Sequence, residues 1–231
     1  GVPSSTRSDE LPVTDAAPRT FEVRHLQLAR AAFAALAALM ITFSTDHSAP
    51  VGLAIFSGFA IATAIIFFAA AWLVYPSGSR GTAVLLGIVT LLAGMATGIP
   101  PLRTTTMFFV VVIAWAALSG LIELISGLRR RRTGDPAARD AVLIGAITLA
   151  LAVALLLVNP AYSLTYFIKE ADASFTLTGI TIGVGLFGGY AAIVAVFLGI
   201  AGFSPRRAER APAVTTAGAD DAPAHPAGET A

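Results

Sequence analysis

Residues 113–132 read IAWAALSGLIELISGLRRRR, and the fold follows from how this stretch is read. The apolar run extends back to Thr105, so that residues 105–128 contain a single charge, Glu123, before four consecutive arginines. At 1.5 Å per residue such a run is long enough to cross a hydrocarbon core of about 30 Å. A block of arginine at one end marks the side of a membrane on which basic segments are retained.

Working outward, the rest of the chain divides in the same way. The sequence predicts spans at residues 26–45, 51–75, 82–99, 105–128, 141–158 and 175–203. Hydrophobic residues make up 56% of the chain and charged ones 13%, against about 25% charged in ordinary soluble domains. Lys and Arg outside and at the ends of the six spans number 4, 0, 1, 1, 5, 1 and 3 in chain order, so alternate segments hold 13 and 2 of the 15. This asymmetry predicts an all-α polytopic bundle of six transmembrane helices with both termini in the cytoplasm. Outer loops are expected at residues 46–50, 100–104 and 159–174. Residues 1–20 and 204–231, rich in Ala, Pro, Ser and Asp, are expected to be disordered cytoplasmic tails around a transmembrane domain at residues 21–203. The chain starts with Gly, which suggests a processed or incomplete start. Six spans leave little room for an extramembrane domain.

Pro50, Pro101 and Pro160 each fall at the outer end of an odd-numbered span, which groups the helices as three hairpins. Spans 3 and 5 share a local pattern: LLGIVTLLAG from Leu85 and LIGAITLALA from Leu143 align Gly87 with Gly145 and Thr90 with Thr148. A repeated helix pair and a chance match of apolar helices both account for it.

The charges and motifs exclude more than they assign. The net charge of +1 and the topological use of the basic residues leave no nucleic-acid surface. Cysteine is absent, which removes disulfides and thiolate metal sites. His25, His47 and His225 fall in separate segments, so no metal cluster or cofactor site is expected. His47 with Asp46, and Glu170 with Asp172, place titratable groups on the outer side, where solvated loop residues are the plainer account. Residues 183–188, GVGLFG, match the dinucleotide-binding spacing but sit within a long apolar run instead of a strand–turn–helix. Small residues spaced by four, Gly94/Gly98, Gly179/Gly183 and Gly185/Gly189, instead predict close helix packing. Thr176, Thr178, Thr181 and Tyr190 give the last span polar character, with hydroxyls expected to bond back to their own helix more often than to line a pore.

Glu123 is the one acid inside a predicted span. An intramembrane ionisable group is a functional candidate by default. It lies six residues before Arg129, about 9 Å along a helix, at a depth comparable to Arg30 in the first span. A structural Arg30–Glu123 ion pair, an interface-exposed Glu123 and a proton- or substrate-linked Glu123 are the three readings. The first is preferred.

The segments LLGIVTLLAGMATGIPP (residues 85–101) and IAWAALSGLIELISGLRRRR (residues 113–132) resemble the HdeD family of small six-span bacterial inner-membrane proteins. The matching elements are Gly87, Gly94, the Pro100-Pro101 turn, Trp115, Gly120, Glu123 and the closing basic run. The resemblance covers about a third of the chain. It implies a bacterial cytoplasmic-membrane protein associated with acid resistance or stress, without catalytic residues. The resulting expectation is a non-enzymatic membrane protein acting through helix packing or partner interaction, with lipid, a second copy or other membrane proteins as partners. The alternative is a small-solute or proton-linked channel or transporter. A midplane polar cavity or continuous water path would favour the alternative.

Overall fold

The computed structural model describes residues 22–75 and 80–204; the two tails and most of the turn after the second helix lie outside them. Six α-helices carry the fold: α1 (Val23–Phe43), α2 (Ala49–Leu73), α3 (Gly81–Thr97), α4 (Thr105–Arg132), α5 (Ala138–Leu156) and α6 (Gly179–Phe203). A two-stranded hairpin, β1 (Ser163–Ile168) and β2 (Ala173–Thr178), stands between α5 and α6. All helices except α3 are long and apolar enough to cross a membrane; α3 is equally apolar but has 17 residues.

Each helix packs on both of its chain neighbours, and α6 returns to pack on α1, so the six close into a ring. The most extensive pairings are α4–α5, α1–α6 and α2–α3. The outer-turn hairpins expected from the prolines pack less extensively than these. The reason lies in the small residues. A Cβ on Gly145 would stand 2.5 Å from the backbone nitrogen of Leu124, and one on Gly127 would stand 2.8 Å from that of Val142, so α4 and α5 touch backbone to backbone. Gly202 meets Leu28 across α1–α6, and Gly87 meets the Phe68 ring across α2–α3. Such contact replaces the hydrophobic driving force that lipid does not supply.

One end of the ring gathers Arg24, Arg30, Arg130 and Asp140, and is here termed the basic end. The other carries His47, Arg103 and the hairpin. The outer surface is apolar: Leu36, Met40, Ile65, Leu92, Val110, Leu118, Val153, Val196 and Ile200 are all exposed. The interior holds buried polar groups, Glu123, Asp140, Gln27, Thr90 and Thr148 among them. This inversion of the soluble pattern matches lipid as the solvent of the outer face.

Helix ends follow local chemistry. Helix α4 runs through all four arginines instead of stopping at Leu128, because Arg is a good helix former and cations favour the last turn. Gly134, at φ +81, then turns the chain. Asp135 accepts from the Ala137 backbone N–H, and α5 begins at Ala138, three residues earlier than the sequence predicts. Helix α3 stops at Thr97, where the Arg103 guanidinium donates to the Thr97 carbonyl at 2.9 Å.

Residues 159–174 were expected to be a loop, and 175–178 the start of the last helix. Instead Ser163 to Ile168 pair antiparallel with Thr178 to Ala173. The segments SLTYFI and ASFTLT are rich in aromatic and β-branched residues, which favour strands; reading for span-length apolar runs leaves the first in a loop and joins residues 175–178 to the helix that follows. Thr178 closes the strand and caps α6, accepting from the Thr181 backbone N–H.

Candidate functional site

The ring encloses a polar site at its basic end. Arg30 is seven residues into α1 and Glu123 nine residues before the end of α4, and the two side chains meet in a bidentate pair. Nη1 donates to Oε2 at 3.1 Å and Nη2 to Oε1 at 3.0 Å. The fork geometry matches guanidinium to carboxylate and fixes both orientations. The side chains are 13% and 9% exposed, so the pair is nearly buried yet touches an open cavity. Phe67 of α2 lies under the guanidinium, 4.7 Å from ring centroid to Cζ.

A second polar link lies beside the first. Gln27, one turn before Arg30 on the same face of α1, donates through Nε2 to Asp140 Oδ2 at 2.8 Å. Asp140 is in the first turn of α5, where the helix dipole favours a carboxylate. Sequence reading missed this pair because Asp140 was placed just outside the fifth span. The available signal was the i, i+3 spacing of Gln27 and Arg30.

These groups line a cavity of about 350 Å³ that opens at the basic end. Arg30 and Glu123 lie in its wall with Gln27, Asp140, Arg130 and Tyr75. Arg130 stands 3.6 Å from Asp135, a looser pair than the one at Arg30. Tyr75 follows the end of α2. Burial pushes its phenol above the ordinary tyrosine range, partly opposed by the positive charges of Arg130 and Arg30, so it stays a neutral hydroxyl. The volume falls in the range of small-molecule pockets.

Behind the ion pair lies a second, much smaller cavity of about 10 Å³. It shares Arg30, Phe67 and Glu123 with the first and adds Thr63, Thr90, Ser119, Trp115 and Tyr190. Farther toward the hairpin end the centre is filled by aromatic rings. Phe56 and Phe59 of α2, Trp115 of α4, and Phe187 and Tyr190 of α6 interlock at centroid distances between 5.3 and 6.4 Å. None of the five is more than 7% exposed. The polar edges of two of them are held by threonines: Trp115 Nε1 donates to Thr90 Oγ1 at 3.1 Å, and Tyr190 and Thr148 hydroxyls lie 2.9 Å apart. Thr90 and Thr148 are the residues aligned by the shared pattern of α3 and α5. Each holds an aromatic of the following helix, and Gly87 and Gly145 each face the preceding one.

The other candidate residues separate. Gly94 would meet Ile61 at 2.8 Å and Gly98 the Ser57 hydroxyl at 3.0 Å, so both pack on α2. Gly183 faces Phe108 and Phe109, and Gly179 abuts the Asn159 carbonyl. Gly185 and Gly189 lie on the outer face of α6 with nothing within 4 Å, and do not pack inside the chain. GVGLFG is continuous helix. Thr176 pairs with Thr165 across the hairpin at 3.2 Å instead of lying in a helix. His25 caps α1, His47 Nε2 lies 2.8 Å from the Ile41 carbonyl, and His225 lies outside the described residues. Among the described residues no group of acids and histidines is arranged to hold a metal. No family model matches the sequence, and no match is found among curated proteins or solved structures.

Proposed function

We propose that the protein is a non-enzymatic, six-span membrane protein that works through its helix ring and a one-sided polar vestibule, engaging a partner or ligand without passing solute through its centre. The observation that carries this reading is the aromatic centre, five interlocked rings that occupy the middle of the ring. The charge distribution supports α3 as a sixth span, both termini in the cytoplasm, and the vestibule facing inward. The resemblance of residues 85–101 and 113–132 to the HdeD family supports a bacterial inner membrane and a stress-associated role. Lipid covers the apolar outer surface; a second copy or another membrane protein is the partner class this reading favours. Co-purification from native membranes tests it: a stoichiometric partner, or a second copy, supports it, and a monomer that carries out solute flux in liposomes contradicts it.

The vestibule itself favours a second reading, a small-solute or proton-linked transporter. Its walls carry both charge signs, suited to a small dipolar solute, and an ion pair sits at its floor. That reading requires the aromatic centre to open in a second conformation. Flux in liposomes that is lost on Glu123→Gln would select it.

A further inference from the structure

The small cavity behind the ion pair has a second peculiarity. Thr63, on α2, is 3% exposed, and its hydroxyl is buried with no hydrogen-bond partner in the protein. Buried hydroxyls are costly when unpaired, and Thr63 lines this cavity. The space of about 10 Å³ is at the lower limit of the room one water molecule needs and is too small for two. A buried water also needs two to four polar partners. The same walls supply them. Glu123 accepts one bond from Arg30 on each oxygen and retains further lone pairs. Ser119 donates to the Trp115 carbonyl at 2.6 Å and keeps its oxygen free to accept. Thr90 accepts from the Trp115 indole and keeps a proton to donate.

We infer that this cavity is a binding site for a single water, which satisfies Thr63 and ties it to the Arg30–Glu123 pair from the side facing the aromatic centre. The ion pair is then hydrated on both faces, by the vestibule on one and by one trapped molecule on the other. That lowers the cost of keeping two charges inside the bundle. Phe59, Trp115 and Tyr190 of the aromatic centre form the wall of the site opposite the ion pair. An alternative occupant of the same space is nothing at all, a dry void against Phe59, Phe67 and Val194.

The two states give opposite signs in one substitution. Thr63→Val keeps shape and removes the hydroxyl. With a bound water it removes a partner and lowers the melting temperature in detergent by about 3 °C; with a dry void it removes an unpaired hydroxyl and raises it. Radiolytic labelling in ¹⁸O-water supplies a readout independent of stability. Trp115 and Tyr190, which line the site, are expected to take up oxygen despite their burial, while Phe109, buried to a similar extent away from the site, and the fully buried Phe56 are not. Thr63→Val should cut the labelling of Trp115 at least about fivefold, and Thr63→Ser should retain it. A higher melting temperature for Thr63→Val, or labelling of Trp115 no greater than that of Phe56, overturns the inference.

Discussion

At the residue scale, the protein is organised around a charge that has to be kept inside an apolar ring. Arg30 and Glu123 reach each other because each lies about two turns from the basic end of its helix, and the bidentate fork removes the freedom of both long side chains. Removing one partner leaves the other uncompensated. Arg30→Gln and Glu123→Gln are therefore each expected to cost about 3 kcal/mol of stability in detergent. The double variant should cost less than their sum. Thermal or denaturant unfolding of the three variants measures this, and full additivity would mean the two side chains act independently. Glycines give a second test at this scale. Gly145→Ala would drive a methyl against the backbone of Leu124 and is expected to cost about 2 kcal/mol. Gly185→Ala meets open space and should be neutral, or stabilising by up to about 1 kcal/mol through helix propensity. Equal losses at both positions would contradict the assigned faces of α5 and α6.

At the element scale, the ring depends on α6 returning to α1. The contact is close, with a Cβ on Gly202 falling 2.6 Å from Leu28 Cγ. Since the chain has no cysteine, Leu28→Cys with Gly202→Cys introduces a clean pair. It should crosslink on mild oxidation in membranes, giving a compact species of faster gel mobility that reverts on reduction. Absence of that crosslink, with both cysteines reactive, would open the ring. The elements themselves were largely legible in the sequence. Long apolar runs bounded by Pro and Arg located all six helices within a few residues, and equal depth suggested the Arg30–Glu123 pair. Three things were not legible. The strands at 163–178 escaped because neither is a span-length apolar run: residues 163–174 read as an outer loop, and 175–178 merge with the apolar run that follows. Gly185 and Gly189 were grouped with Gly179 and Gly183 by spacing, although rotation of α6 turns the first pair outward and the second inward. The Gln27–Asp140 link and the cavities depend on which helices become neighbours, which periodicity does not encode.

At the scale of the whole molecule, the ring is asymmetric along its axis: polar and open at the basic end, then an ion pair, then packed aromatic rings. A chain whose alternate segments carry 13 and 2 basic residues should lie across the membrane in one orientation. Reporter fusions at Ser79 and Glu170 should report opposite compartments, and agreement between them would contradict six spans. The central claim is that the vestibule is open to one side and the centre closed to both. Single cysteines on this cysteine-free chain test it directly with a membrane-impermeant thiol reagent applied to vesicles of either orientation. Ser126→Cys, in the vestibule wall, should react from the cytoplasmic side alone; Ala116→Cys, fully buried beside Trp115, should react from neither. Reaction of Ser126→Cys from both sides, or of Ala116→Cys from either, would show a continuous aqueous path through the ring and contradict the account.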